Sequence, residues 1–203
     1  MKIILKIKIL IKILIIISCS SHPSLAERIS LNKISDYING LTTLQADFEQ
    51  INSDGSIDRG KLYIRRPGRM RLEYTAPNNA LVIAGAGSVA IFDDKSKNGP
   101  TLFPLKKTPL NLLLKKNVDL SKNEMITEHT ANNENTFIVA KDPKRKSQGS
   151  IKMMFSNSQV SLQGWTITNQ SNQKTKIILD KLDKKTKIPL YLFNISAASK
   201  NKN

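Results

Sequence analysis

The sequence predicts a mainly β domain: one large antiparallel sheet of about eleven short strands, with a few amphipathic helices on one side. Three observations point there. Strand signals recur at intervals of about 8 to 12 residues from Leu44 onward, the spacing of a meander. The turns between them carry Gly, Asn, Asp or Pro, as in APNN, AGAGS, ANNEN and DKKTKIP. Helical spacing is confined to two short stretches. A sheet this long curls.

The elements follow in order. Residues 1–26 read as an export signal: Lys2, Lys6, Lys8 and Lys12 make a basic start, Ile13 to Ile17 is uncharged and apolar, and Ser24-Leu25-Ala26 is a small-x-small cleavage site. The lysines interrupt the apolar run well short of the roughly 20 residues a membrane span needs. The domain then occupies 27–196, and a polar tail at 197–203 is expected to fray. Leu31, Ile34, Ile38 and Leu41 recur at helical spacing and predict a helix from Glu27 to Gly40. Leu44, Ala46 and Phe48 alternate with Gln45, Asp47 and Glu49, the period of a half-buried strand. After the turn Asn52–Ser56, strands are expected at Gly60–Arg66, Arg69–Tyr74, Ala80–Ala84, Ser88–Asp93 and Thr101–Leu105.

A second helix is expected at Thr108–Lys116, with Thr108 as N-cap, Pro109 at the first helical position and lysines in the last turn. Leu110, Leu113 and Leu114 form its apolar face. It is too short to stand alone and must lie against an apolar surface. The later strands are expected at Asn123–His129, Thr136–Ala140, Ser150–Ser156, Val160–Asn169, Thr175–Lys181 and Leu190–Asn194.

Composition excludes several chemistries. Cys19 and His22 lie in the signal, so the mature fold has no disulfide and only His129 as an imidazole. A cysteine–histidine pair and a His-rich zinc site are ruled out, and no Gly-rich phosphate loop follows a strand. The expectation is a protein that is not an enzyme and needs no cofactor and no metal. Removing the signal's four lysines from the net charge of +16 leaves +12. A basic balance suits nucleic acid or an anionic membrane surface. The export signal and the few aromatics argue against nucleic acid.

The arginines are not scattered as the lysines are. Five of the seven fall between Arg59 and Arg71, around RRPGRMRLEY. A loop of Pro67-Gly68 alone would set Ile64 opposite Arg71. A three-residue loop, Pro67-Gly68-Arg69, pairs Arg66 with Met70, Ile64 with Leu72 and Leu62 with Tyr74, so that the apolar faces match. Arg65, Arg69 and Arg71 then go to solvent and Arg66 to the apolar face. There a guanidinium either takes carbonyls from the end of a helix packed across the sheet or snorkels to water.

The order of motifs resembles the LolA family of periplasmic outer-membrane lipoprotein carriers. The matching stretches are LQADFEQ at Leu44 to Gln50, GKLYIRRPGRMRLEY at Gly60 to Tyr74, APNNALVIA at Ala76 to Ala84, GSVAIFD at Gly87 to Asp93, and the TPL helix at Thr108. Gln163 to Leu179 resembles the family's last hairpin more loosely. The resemblance implies an unclosed antiparallel β half-barrel with a helical lid, found as a monomer in the periplasm of a Gram-negative bacterium. It implies partners too: lipoprotein acyl chains, an inner-membrane ABC transporter that loads them, and an outer-membrane acceptor that takes them.

The family's lid-latching arginine precedes the proline, which maps onto Arg66. Strand alternation together with the resemblance gives a cavity lining of Phe48, Leu62, Ile64, Met70, Leu72, Tyr74, Leu81 and Ile83, facing lid residues Leu110, Leu113 and Leu114. Met70 and Leu72 stand where many members carry an aromatic and a Trp, and Ala86-Gly87 stands where they carry Asp-Gly. Ile16-Ile17-Ser18-Cys19 resembles a lipoprotein cleavage box, which would suit a lipid-anchored acceptor or an envelope regulator on the same fold. A lipid-ester hydrolase using His129 and a basic module for nucleic acid or membrane rank behind these.

Overall fold

The computed structural model describes residues 27–93, 99–122, 124–141 and 149–202. The expected export signal with Cys19, and most of the turns at 95–100 and 141–149, lie outside them. The elements are α1 (Leu31–Gly40), β1 (Thr43–Ile51), β2 (Ile57–Arg65), β3 (Arg69–Tyr74), β4 (Leu81–Gly85), β5 (Ser88–Phe92), β6 (Thr101–Pro104), α2 (Asn111–Leu114), β7 (Ile126–Ala131), β8 (Asn135–Lys141), β9 (Ser150–Ser156), β10 (Ser161–Thr168), β11 (Lys174–Asp183) and α3 (Ile195–Lys202). All eleven strands form one sheet in the order β6-β5-β4-β3-β2-β1-β11-β10-β9-β8-β7. It is an open half-barrel with β6 and β7 as its edges. Two antiparallel meanders, β1–β6 and β7–β11, are joined where β1 pairs with β11.

One face of this sheet carries the main core. Leu44, Ala46 and Phe48 of β1, Leu62 and Ile64 of β2, Ile138 and Ala140 of β8, and Ile151, Met153 and Phe155 of β9 all point there. Helix α1 lies on this face through Ile34 and Ile38, and the Tyr37 ring meets Phe155 edge-on at 6.1 Å. The expected start at Glu27 is four residues early. Ser30 caps α1, accepting from Lys33 N at 3.3 Å, and residues 27–30 are not helical. Ile29 is already buried, and its amide donates to Thr136 Oγ1 at 2.9 Å.

The second expected helix is shorter than the sequence suggested. Leu105–Lys107 is a 3₁₀ turn, and Thr108 closes it by donating its hydroxyl to Leu105 O instead of capping a helix. Only Asn111–Leu114 is α-helical. Leu110, Leu112, Leu113 and Leu114 are all buried, so the segment keeps its apolar role with barely one turn of helix.

The opposite face carries a second cluster that the sequence reading did not foresee. Leu81 and Ile83 of β4 and Ala90 and Phe92 of β5 pack there against Ile188, Phe193 and Ala198. The expected last strand at Leu190–Asn194 is instead a 3₁₀ turn, Leu190–Phe193, and the tail expected to fray continues as α3. Residues 188–198 thus form a strap over the outer side of β3 to β5. Arg65 and Arg71, expected in solvent, hold it: Arg65 Nη1 donates to Ile188 O at 2.6 Å and Arg71 Nη1 to Leu192 O at 2.9 Å. Arg71 also pairs with Glu73 at 2.5 Å.

Candidate functional site

The β2–β3 hairpin positions the site. Ile64 pairs with Met70, Leu62 with Leu72 and Gly60 with Tyr74, so the loop is Arg66-Pro67-Gly68. The expected pairing is off by two residues. A slip of two keeps every side chain on its face, so hydrophobic matching could not distinguish the registers. Gly68 takes φ +74°, which glycine adopts without a Cβ penalty, and this closes the turn one residue earlier. Arg66 is therefore at the turn itself and not opposite Met70.

From there its guanidinium reaches both covering helices. Nη1 donates to Ile38 O and, at 3.4 Å, to Leu41 O at the C-terminus of α1. Nη2 donates to Lys115 O at 2.7 Å and Lys116 O at 3.4 Å, just past α2. These carbonyls lie at helix ends, where the regular i+4 partners run out; Ile38 O also accepts from Leu41 N at 3.2 Å. Of the two readings of Arg66, helix-end capture is the one adopted. The same turn makes a second tie, Gly68 N to Leu114 O at 2.8 Å. Burial pulls the Arg66 pKa below its usual value, and Nε is buried without a hydrogen-bond partner.

Beneath the helices, Phe48, Leu62, Ile64, Met70 and Leu72 form one continuous apolar surface. Tyr74 completes it, its ring edge-on to Phe48 at 5.1 Å and its hydroxyl donating to Gln50 Oε1 at 2.6 Å. Two expected members are not there. Met70 pairs with Ala84 and Leu72 with Val82, so Ala84 and Val82 face inward and Leu81 and Ile83 belong to the outer cluster under the strap. Strand alternation was right, but its phase in β4 was misassigned. Both faces of that strand are apolar, so the LVIA run gives no polar residue to mark the outside.

Leu62, Ile64 and Met70 below, and Ile34, Ile38, Leu113 and Leu114 above, all have 0% exposure. The side chains of α1 and α2 fill the ground above the sheet.

The other expected candidates fall elsewhere. His129 meets the main chain, Nε2 lying 2.9 Å from Ile29 O. Among the described residues no group of His, Cys, Asp or Glu could hold a metal, and no helix is long and apolar enough to cross a membrane. A groove of about 850 Å³ lies against the outward side chains of β8 and β9, including Phe137, Val139, Lys152 and Met154.

Residues 39–196 match the family model for LolA, outer membrane lipoprotein carrier protein. Residues of this chain are 31% identical over 80 positions to an outer-membrane lipoprotein carrier protein of Methylococcus capsulatus, covering 37% of this chain and 38% of that one. That match therefore spans well under half of the relative. A carrier protein of Coxiella burnetii is 28% identical over 181 residues, covering 83% of this chain and 84% of its own. In structure, a domain of Vibrio parahaemolyticus provisionally named for outer-membrane lipoprotein sorting superposes with a TM-score of 0.50 at 11% identity, over 84% of this chain and 100% of that one.

Proposed function

The chain belongs to the LolA family of outer-membrane lipoprotein carrier proteins, and from that premise we propose that it holds lipoprotein acyl chains between its sheet and its helices. In this reading it receives lipoproteins from an inner-membrane ABC transporter, crosses the periplasm as a monomer and yields them to an outer-membrane acceptor. Acyl chains cannot make that journey exposed, because each CH₂ in water costs about 0.8 kcal/mol.

The observation that carries the proposal is a single arginine binding the ends of both helices that cover a continuous apolar face. When cargo enters, it takes the place of the side chains of α1 and α2. One apolar contact is exchanged for another, so the hydrophobic term changes little between closed and loaded forms. The balance then rests on what closing adds: the Arg66 hydrogen bonds, each of the charge-assisted kind worth about 1.5–3 kcal/mol. The unpartnered Nε subtracts from that gain. A latch of this strength closes the empty protein and still yields to cargo. Closing again, it drives the chains out.

Protein purified from its native envelope should release diacyl or triacyl lipid into organic extract. A lipid-free extract, together with failure to draw lipoprotein from inner-membrane vesicles, would overturn the reading. Arg66→Leu should favour the open, loaded form, so that loading persists and hand-over to the acceptor falls by tenfold or more, about 1.4 kcal/mol. Normal hand-over by that variant would remove the latch.

A further inference from the structure

The strap that covers the outer face leaves its own tip bare. Leu190 and Tyr191 are 52% and 72% exposed, while Ile188 and Phe193 on either side are buried. This exposure is enforced. Arg65 grips Ile188 O and Arg71 grips Leu192 O, so a guanidinium fixes the chain on each side of the tip. Asn194 N donates to Tyr191 O at 3.1 Å and tightens the turn. Two large apolar side chains are thus held in water by the same clamps that bury their neighbours.

Lys184, Lys185 and Lys187 stand exposed just before the tip, and no acid occurs from Lys184 to Asn194. The preceding Asp183 is engaged locally, accepting from Lys185 N and from the Thr186 hydroxyl. Lys184 lies over the Tyr37 ring at 5.5 Å, which leaves Lys185 and Lys187 as the basic flank of the tip.

We propose that this tip docks the protein on an anionic phospholipid bilayer. Leu190 and the Tyr191 ring enter the headgroup boundary, where an amphipathic aromatic ring is at home. Lys185 and Lys187 meet the lipid phosphates. Two apolar residues and a short basic flank give contact that is weak and reversible, unlike an acyl anchor or a spanning helix. The surface lies on the side of the sheet away from α1 and α2, and the proposal does not depend on what those helices cover.

The test uses the full mature chain, stripped of lipid, in flotation with vesicles of phosphatidylcholine alone or mixed with phosphatidylglycerol. Binding is expected only to the mixed vesicles and should fall as salt rises. Lys185→Gln and Lys187→Gln should each weaken it about fivefold, the equivalent of about 1 kcal/mol per basic residue near the surface. Leu190→Ser with Tyr191→Ser should weaken it at every salt concentration. All four side chains are exposed, so melting should not change. Tyr191→Trp should show a blue-shifted emission quenched by brominated lipid. Absence of binding to the mixed vesicles, or equal binding by the tip variants, overturns the proposal. So does a tip variant that floats normally but fails in hand-over, which would reassign the tip to a protein partner. Failure of the carrier reading would appear separately, as a lipid-free extract and no withdrawal of lipoprotein from inner-membrane vesicles by a protein that still floats.

Discussion

Residues around the turns show what the sequence discloses and what it withholds. Arg66 was legible as a charge on an apolar face, because alternation on β2 placed it there. Helix-end carbonyls were one of two expected partners for it, but which carbonyls, those of Ile38 and Lys115, was not legible, since a main-chain carbonyl leaves no signature in a sequence. Ala86 is a clearer case. It takes φ +47° and Gly87 φ +80° in the β4–β5 hairpin, a turn that asks for positive φ at both centres. Alanine there carries a penalty of about 1 kcal/mol that Asp or Asn largely escapes. Ala86 is exposed, so Ala86→Asp should raise stability in denaturant unfolding by about 0.5–1 kcal/mol with m unchanged. A loss of stability would mean that the turn tolerates alanine for another reason. Tyr74 gives a prediction in pH. Burial first, then the charge of Asp58, pushes its pKa up to about 12. The unfolded chain ionises near 10 and binds fewer protons than the native state above that point, so stability holds below pH 10 and falls between 10 and 12. The fall attributable to Tyr74 is about 2–3 kcal/mol at its limit. Burial also raises Tyr37 and Tyr63, so the measurement is a difference: Tyr74→Phe should flatten the alkaline slope relative to wild type.

Among the elements, strands with one polar face were the easiest to place. β1 alternates cleanly, and its apolar side is the core side as expected; β9 lies at the expected Ser150–Ser156 and sends Ile151, Met153 and Phe155 into the same core. β4 and the segment after Ile188 were misread for a common reason: each buries apolar residues against the other. With both faces of β4 covered, alternation carries no phase, and an apolar run that packs on a sheet reads like a strand within it. What decides the packing is a close approach that only glycine permits. A Cβ on Gly85 would lie 2.4 Å from Phe193 O. Gly85→Ala should therefore push the strap outward and destabilise the fold by about 1–3 kcal/mol. Hydrogen exchange should show lost protection first at residues 188–198, before β1 or β11 is affected. If protection falls uniformly, the strap is part of the global unfolding unit and not a separate lid on the outer face. α2 illustrates the reverse problem. Capping rules suggested a helix of nine residues, but burial of four leucines, not propensity, fixes the segment, and one helical turn suffices for that.

For the molecule as a whole, the meander spacing disclosed the sheet, and the pairing of β1 with β11 makes it a single surface. The pieces that cover the inner face come from two places in the chain, α1 at the start and α2 between the meanders, and both are tied to one hairpin turn. The residues before α1 are tied as well. Arg28 donates to His129 O at 2.7 Å, and Ile29 is held by Thr136 on β8. A chain starting at Glu27 would have one residue ahead of these ties, and the helix they lead into would be unencumbered. A chain starting at a lipidated Cys19 would have about nine residues before them, reaching roughly 30 Å at full extension. That tether would hold the inner-face helices close to one membrane. The two forms suit different tasks, because a shuttle has to leave the membrane that loads it and an anchored acceptor has to stay. Intact mass of the exported protein separates them. The expected value is that of a polypeptide beginning at Glu27, recovered from the soluble periplasmic fraction. A mass corresponding to an acylated Cys19 would leave the apolar face and the Arg66 hydrogen bonds to both helices in place, but would turn the proposed carrier into a proposed receiver.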